Sequence, residues 1–65
     1  MSFSENLKNI RKLHKLDQTQ LSKEINVSAK TISHWETGYT EPSIAQLILL
    51  ANYFDVSIDE LVDRK

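Results

Sequence analysis

The 65-residue chain has no cysteine, one glycine and one proline. Without cysteine there is no disulfide framework. Two histidines alone do not supply the ligands of a structural zinc site, so no metal or cofactor is expected. One glycine and one proline leave few helix breakers, which favours helices throughout. No apolar run approaches the ~18 residues of a membrane span. The opening MSFSENLKNIRK has no apolar signal-peptide segment, so the expected location is the cytoplasm. Catalytic patterns are missing too. There is no glycine-rich phosphate loop and no carboxylate pair sharing a cleft. Ser33 and His34 are neighbours in sequence and cannot face each other on a helix. A chain this short does not surround a deep pocket, so neither an enzyme nor a small-molecule site is expected.

What is present is an ordinary balance of 40% hydrophobic and 26% charged residues, typical of a globular domain. Residues 1–65 read as one domain whose small core depends on efficient helix packing. The net charge of −1 argues against a polyanion partner until its distribution is considered. Residues 1–34 hold six basic and three acidic residues, a net +3, and residues 35–65 hold two basic and six acidic, a net −4. Such a molecule can turn one side to a polyanion and keep the other acidic.

The stretch Gln18–Glu36 organises the rest. Leu21 and Ile25 lie four apart on one face of a first helix, and Val27, Ile32 and Trp35 give the second part its apolar side. Between them, Asn26 tolerates a left-handed backbone and so ends one helix, and Ser28 caps the next. Two helices joined by so short a turn cross steeply, as in a helix-turn-helix. Ala29, Lys30, Thr31, Ser33 and His34 fall outside the apolar face. They make a small, polar, mildly basic surface of the kind that enters a DNA major groove.

The chain in order predicts five helices. The first starts near Ser2 or Ser4, where Ser2-Phe3-Ser4-Glu5 has capping-box form. Leu7, Ile10 and Leu13 mark its buried face, with Phe3 a turn earlier, and it stops around His14 or Lys15. Leu16 packs inward and Asp17 caps a second helix over Gln18–Glu24. There, Gln18 sits where backbone N–H groups favour an anion. A third helix covers Ala29–Glu36, with Gly38 ending it and Thr37–Pro42 forming a loop. Ser43 caps a fourth helix, IAQLILLANYF, whose core face reads as Ile44, Leu47, Ile48, Ala51 and Phe54, with Ala45 and Leu49 on a second face. Asp55-Val56-Ser57 repeats the turn-then-cap logic of Asn26-Val27-Ser28. It opens a short fifth helix with Ile58, Leu61 and Val62 apolar and Asp59 and Glu60 at the end that favours acids.

Taken together, Leu7-x-x-Ile10-Arg11, Leu16-Asp17-Gln18-x-x-Leu21, Val27-Ser28-x-x-Thr31-Ile32-Ser33-x-Trp35-Glu36-x-Gly38, Pro42-Ser43 and Val56-Ser57-Ile58-Asp59-Glu60-Leu61 resemble the Cro/C1-type helix-turn-helix regulators of bacteria and phages. The resemblance runs from about Leu7 to Val62. It implies an all-α, compact five-helix, lambda-repressor-like domain that binds operator DNA, usually as a dimer. It places base-reading positions on Ala29, Lys30, Thr31, Ser33 and His34. It places phosphate contacts on Gln18, Thr37, Tyr39 and Thr40, and a structural ion pair on Arg11 and Glu36. The chain departs from the family at Ser22, where alanine is usual. Lys15, Asn26 and Asp55 stand where glycine is usual, and Leu49 where a charge is usual. Of the three turn residues, Lys15 is the costly one if its φ is positive.

Chemistry allows more than one use for several of these residues. Lys30 suits guanine O6 or N7, or a phosphate alone. His34 suits guanine or a phosphate, and Ala29 a thymine methyl. Trp35 reads as a core or core-edge residue rather than a stacking platform, because it is in helical register with Ile32. The apolar surface at Leu49, Val56, Ile58 and Val62 is the candidate self-contact of a homodimer, with Leu49 its most informative residue. Val56, Ile58 and Leu61 also suit closing the core over the fourth helix, which for Ile58 and Leu61 is the better reading. The alternative to a dimeric DNA-binding repressor is a protein-interaction module of the same fold that uses Leu49 and the acidic C-terminal half.

Overall fold

Every helix begins one residue after a serine or an aspartate. In the computed structural model, which describes residues 2–62, these are α1 (Phe3–Leu13), α2 (Gln18–Glu24), α3 (Ala29–Thr37), α4 (Ile44–Phe54) and α5 (Ile58–Val62). Ser2, Asp17 and Ser43 each accept from the backbone N–H three residues on, and Glu5, Gln20 and Gln46 return the bond to the cap's own N–H. Ser57 and Glu60 do the same at α5. Ser28 accepts from the Thr31 N–H. Each cap satisfies donors the helix leaves unpaired and is worth about 1 kcal/mol. Asp63, Arg64 and Lys65, which belong to the acidic half, lie outside the described residues.

The helix ends obey one rule. Lys15, Asn26, Gly38 and Asp55 have φ of 58°, 60°, 80° and 57°. The next residue, Leu16, Val27, Tyr39 or Val56, then donates its N–H to the carbonyl five residues back, at 2.9–3.2 Å. This left-handed stop reverses the chain within two residues.

The core consists of Leu7, Leu21, Ile25, Ile32, Trp35, Leu50, Ala51, Phe54 and Leu61, with Phe3, Ile10, Leu16, Val27 and Val56 packed against it. Helix α3 packs against both α1 and α2, and α5 against α1 and α4. The Asn6 side chain, itself buried, donates to the Leu61 carbonyl at 3.1 Å and ties α1 to the end of α5. Trp35 is buried in the core rather than offered for stacking.

Three expected core residues lie outside. Leu13 is 78% exposed. Each three-residue step falls about 60° short of a full turn, so Leu13 lies about 120° from Leu7, on the flank of α1. Ile44 is 76% exposed and Ile48 is also exposed. The inward stripe of α4 is Leu47, Leu50, Ala51 and Phe54, and Ile48 points about 160° from Leu50 at 100° per residue. In α5 Leu61 is fully buried, whereas Ile58 is exposed. Among the described residues, no helix is long and apolar enough to cross a membrane, and no cluster of His, Cys, Asp or Glu has metal-site spacing.

Candidate nucleic-acid interface

Packing of α2 against α3 depends on small residues and a rigid turn. Ser22 is buried and donates its hydroxyl to the Thr19 carbonyl at 2.7 Å. That bond satisfies the polar group that replaces the usual methyl. Ile25 closes the α2 side and Val27 the turn. With Ile32 and Trp35 buried beneath it, α3 has its rotation fixed. Lys30 is then exposed, and Ala29, Thr31, Ser33 and His34 are half-buried on the rim of the same helix.

The first turn of α3 is tightly held. The Ser28 hydroxyl accepts from the Thr31 N–H at 3.1 Å and shares a hydrogen bond with the Thr31 hydroxyl at 2.9 Å. At the other end, the His34 carbonyl accepts from the Tyr39 N–H at 2.9 Å and from the Thr37 hydroxyl at 3.2 Å. Thr37 is therefore the last residue of α3 and not part of the loop, because the left-handed turn comes only at Gly38. The rings of His34 and Tyr39 pack with centroids 4.8 Å apart. Tyr39 is 76% exposed, and Thr40 is exposed beside it.

Behind this face lies a charged junction. Arg11 donates from Nε to Glu36 Oε2 at 2.6 Å and from Nη2 to Oε1 at 3.1 Å. Its Nη1 donates to the Leu16 carbonyl at 2.8 Å. The hydrogen bond to Glu36 raises the Arg11 pKa above its ordinary value, against an opposing effect of burial. Glu36 Oε1 also accepts from Gln18 Nε2 at 3.0 Å. This last bond was not legible in the sequence, where Gln18 and Glu36 are eighteen positions apart and only Arg11 stood out as a partner for the acid.

The expected self-contact residues divide. Leu49 is 49% exposed on α4 and Ile58 is exposed on α5. Val56 packs on the core, and Val62 lines a shallow cleft of about 160 Å³ with Phe3, Pro42 and Leu47. The other large apolar side chains exposed on α4 are Ile44, Ile48 and Tyr53.

A polar, capped helix held over a short turn is the arrangement that reads duplex DNA, and a helix-turn-helix family model matches residues 7–61. The chain belongs to the Cro/C1-type helix-turn-helix family. This is a family of DNA-binding transcriptional regulators. It is similar to the transcriptional activator BcrR of Enterococcus faecalis, with 39% identity over 95% of this chain and 30% of that protein. A solved transcriptional regulator from Listeria innocua superposes with a TM-score of 0.93 at 42% identity, over 98% of this chain and 60% of the other. The P22 c2 repressor, solved in complex with a synthetic operator, matches at a TM-score of 0.90 and 34% identity, over 95% and 94% of the two chains. The chain thus spans under a third of BcrR's length, and these relatives are regulators rather than enzymes.

Proposed function

We propose that this chain is a sequence-specific binder of duplex DNA, acting as a repressor by occupying a pseudo-palindromic operator as a dimer. The observation that carries this reading is the outer side of α3, where Lys30 is exposed and Thr31, Ser33 and His34 are half-buried. Lys30, Thr31, Ser33 and His34 project from a helix whose rotation is set by Ile32 and Trp35. Nine residues of helix extend about 13 Å, a length that suits a groove about 12 Å wide. Ala29 and Lys30 lead into the groove, and Gln18, Thr37, Tyr39 and Thr40 flank it as phosphate contacts. One such domain reads few base pairs, so two copies on a two-fold axis supply the specificity. Leu49 and Ile58, exposed like Ile44, Ile48 and Tyr53, are the residues proposed for that pairing, together with Val56 and Val62.

Selection from a random duplex pool tests this directly. The expected result is an inverted repeat with half-site centres about 34–36 Å apart. No enrichment by folded protein would overturn the reading. On a recovered site, Lys30→Ala or His34→Ala is expected to cost about 1–3 kcal/mol and relax preference at one position. Lys8→Ala or Lys12→Ala should lower affinity only modestly on every sequence. Equal losses on all sequences for Lys30→Ala would assign it to phosphate alone. The uncharged outer stripe of α4, close in sequence to Glu41, Asp55 and Asp59, favours a second reading. In that reading, the fold is an adaptor that binds a protein through α4.

A further inference from the structure

Glu36 has a task beyond pairing with Arg11. Its side chain is 3% exposed, and its two oxygens serve three donors on two other helices. A carboxylate only accepts hydrogen bonds. The end of the Gln18 amide that meets Glu36 is therefore Nε2 and not the carbonyl, since a carbonyl there would face an acceptor. An amide left to itself presents either end.

We infer that Glu36 is a positioning residue for DNA binding. By accepting one Nε2 hydrogen of Gln18, it sets the amide's orientation and leaves the second Nε2 hydrogen as a donor for a backbone phosphate oxygen, which also only accepts. Arg11, paired to both carboxylate oxygens, cancels the charge that would otherwise repel that phosphate. The acid thus acts through Gln18 and touches no nucleotide. The inference rests on the DNA-binding reading above.

A double-mutant cycle on a duplex recovered from the random pool tests it, at a temperature where circular dichroism shows each variant folded. Gln18→Ala is expected to weaken binding about tenfold with the salt slope unchanged, because the amide is neutral. Glu36→Gln gives the residue at 36 a group that can donate or accept, so the orientation of Gln18 is no longer set. It is expected to weaken binding several-fold alone and to cost nothing further in the Gln18→Ala background. Equal losses in both backgrounds would make Glu36 merely structural and overturn the inference, as would undiminished affinity in Gln18→Ala. Failure of the unaltered protein to enrich any duplex would instead overturn the DNA reading itself. Should Glu36→Gln not fold, the Nε2 protons of Gln18 in the unaltered protein decide by NMR. Duplex should move one of the two downfield and leave the other in place. Movement of neither proton would also overturn the inference.

Discussion

Four helix ends share one backbone and part company at a single residue. After the left-handed positions Lys15, Asn26 and Asp55, the chain places Leu16, Val27 and Val56 against the core. After Gly38 it places Tyr39, which is 76% exposed and packed on His34. A left-handed stop usually seats the residue after it on an apolar contact. Three of the stops do so and are fully explained by folding. The fourth points an aromatic and hydroxyl-bearing side chain outward at the edge of α3. The difference teaches that the same local chemistry can close a core or present a side chain, and the exposed case marks the face proposed for DNA.

The largest break in that comparison is expected at the first stop. Arg11 holds the Leu16 carbonyl as well as Glu36, so it fastens the residue that follows the left-handed Lys15. Arg11→Met should remove about 3 kcal/mol or more by leaving Glu36 buried without its cation, measured by urea unfolding. The pKa of Arg11 is raised, so its contribution is complete below the ordinary arginine range and fades only as pH climbs through the raised value. Between pH 6 and about 9 the loss should therefore be flat, and a steep pH slope there would contradict the pairing.

Next in size, Leu16→Ala should cost about 2 kcal/mol, at the low end for a leucine because the side chain is only half-buried. Tyr39→Ala, made at the equivalent place in the fourth stop, should change stability by less than about 0.5 kcal/mol while weakening DNA binding. A stability loss at Tyr39 matching that at Leu16 would abolish the distinction between the two kinds of stop. Gly38→Ala should cost about 1–2 kcal/mol, since a side chain at φ +80° meets its own carbonyl. Its Cβ would also lie 3.4 Å from the Ser4 hydroxyl oxygen. At the first stop, one change has the opposite sign. Lys15→Gly should stabilise the chain by up to about 1 kcal/mol, seen as a rise in Tm. Asn26→Gly should gain less, because asparagine already tolerates that backbone.

Much of the fold was legible in the residues themselves. Ser2, Asp17, Ser28, Ser43 and Ser57 announced the helix starts, and Asn26, Gly38 and Asp55 the stops, because caps and left-handed turns are decided by a few adjacent atoms. The inward faces of α2 and α3 were equally clear, since polar residues bound them on both sides. Helix α4 was not legible in this way. Its eleven residues carry no charge, so nothing in the pattern told Leu50, fully buried, from Ile44 and Ile48, exposed. Leu13 misleads for a related reason, as an apolar residue whose three-residue spacing carries it round to the flank of α1. At the candidate interface, the residue types and the turn can be read from sequence, but Thr37 belongs to α3 and not to the loop that its place beside Gly38 suggests.

The amino-acid order alone determined the caps that start the helices, the left-handed residues that stop them and which side of α3 stays polar, because those outcomes rest on contacts within about five residues. Only the tertiary structure decided which stripe of α4 is inside and that Asn6 reaches the Leu61 carbonyl. It also showed that Glu36 holds Arg11 and Gln18 together. Those contacts join side chains from separate helices, so their geometry does not exist until the helices have packed.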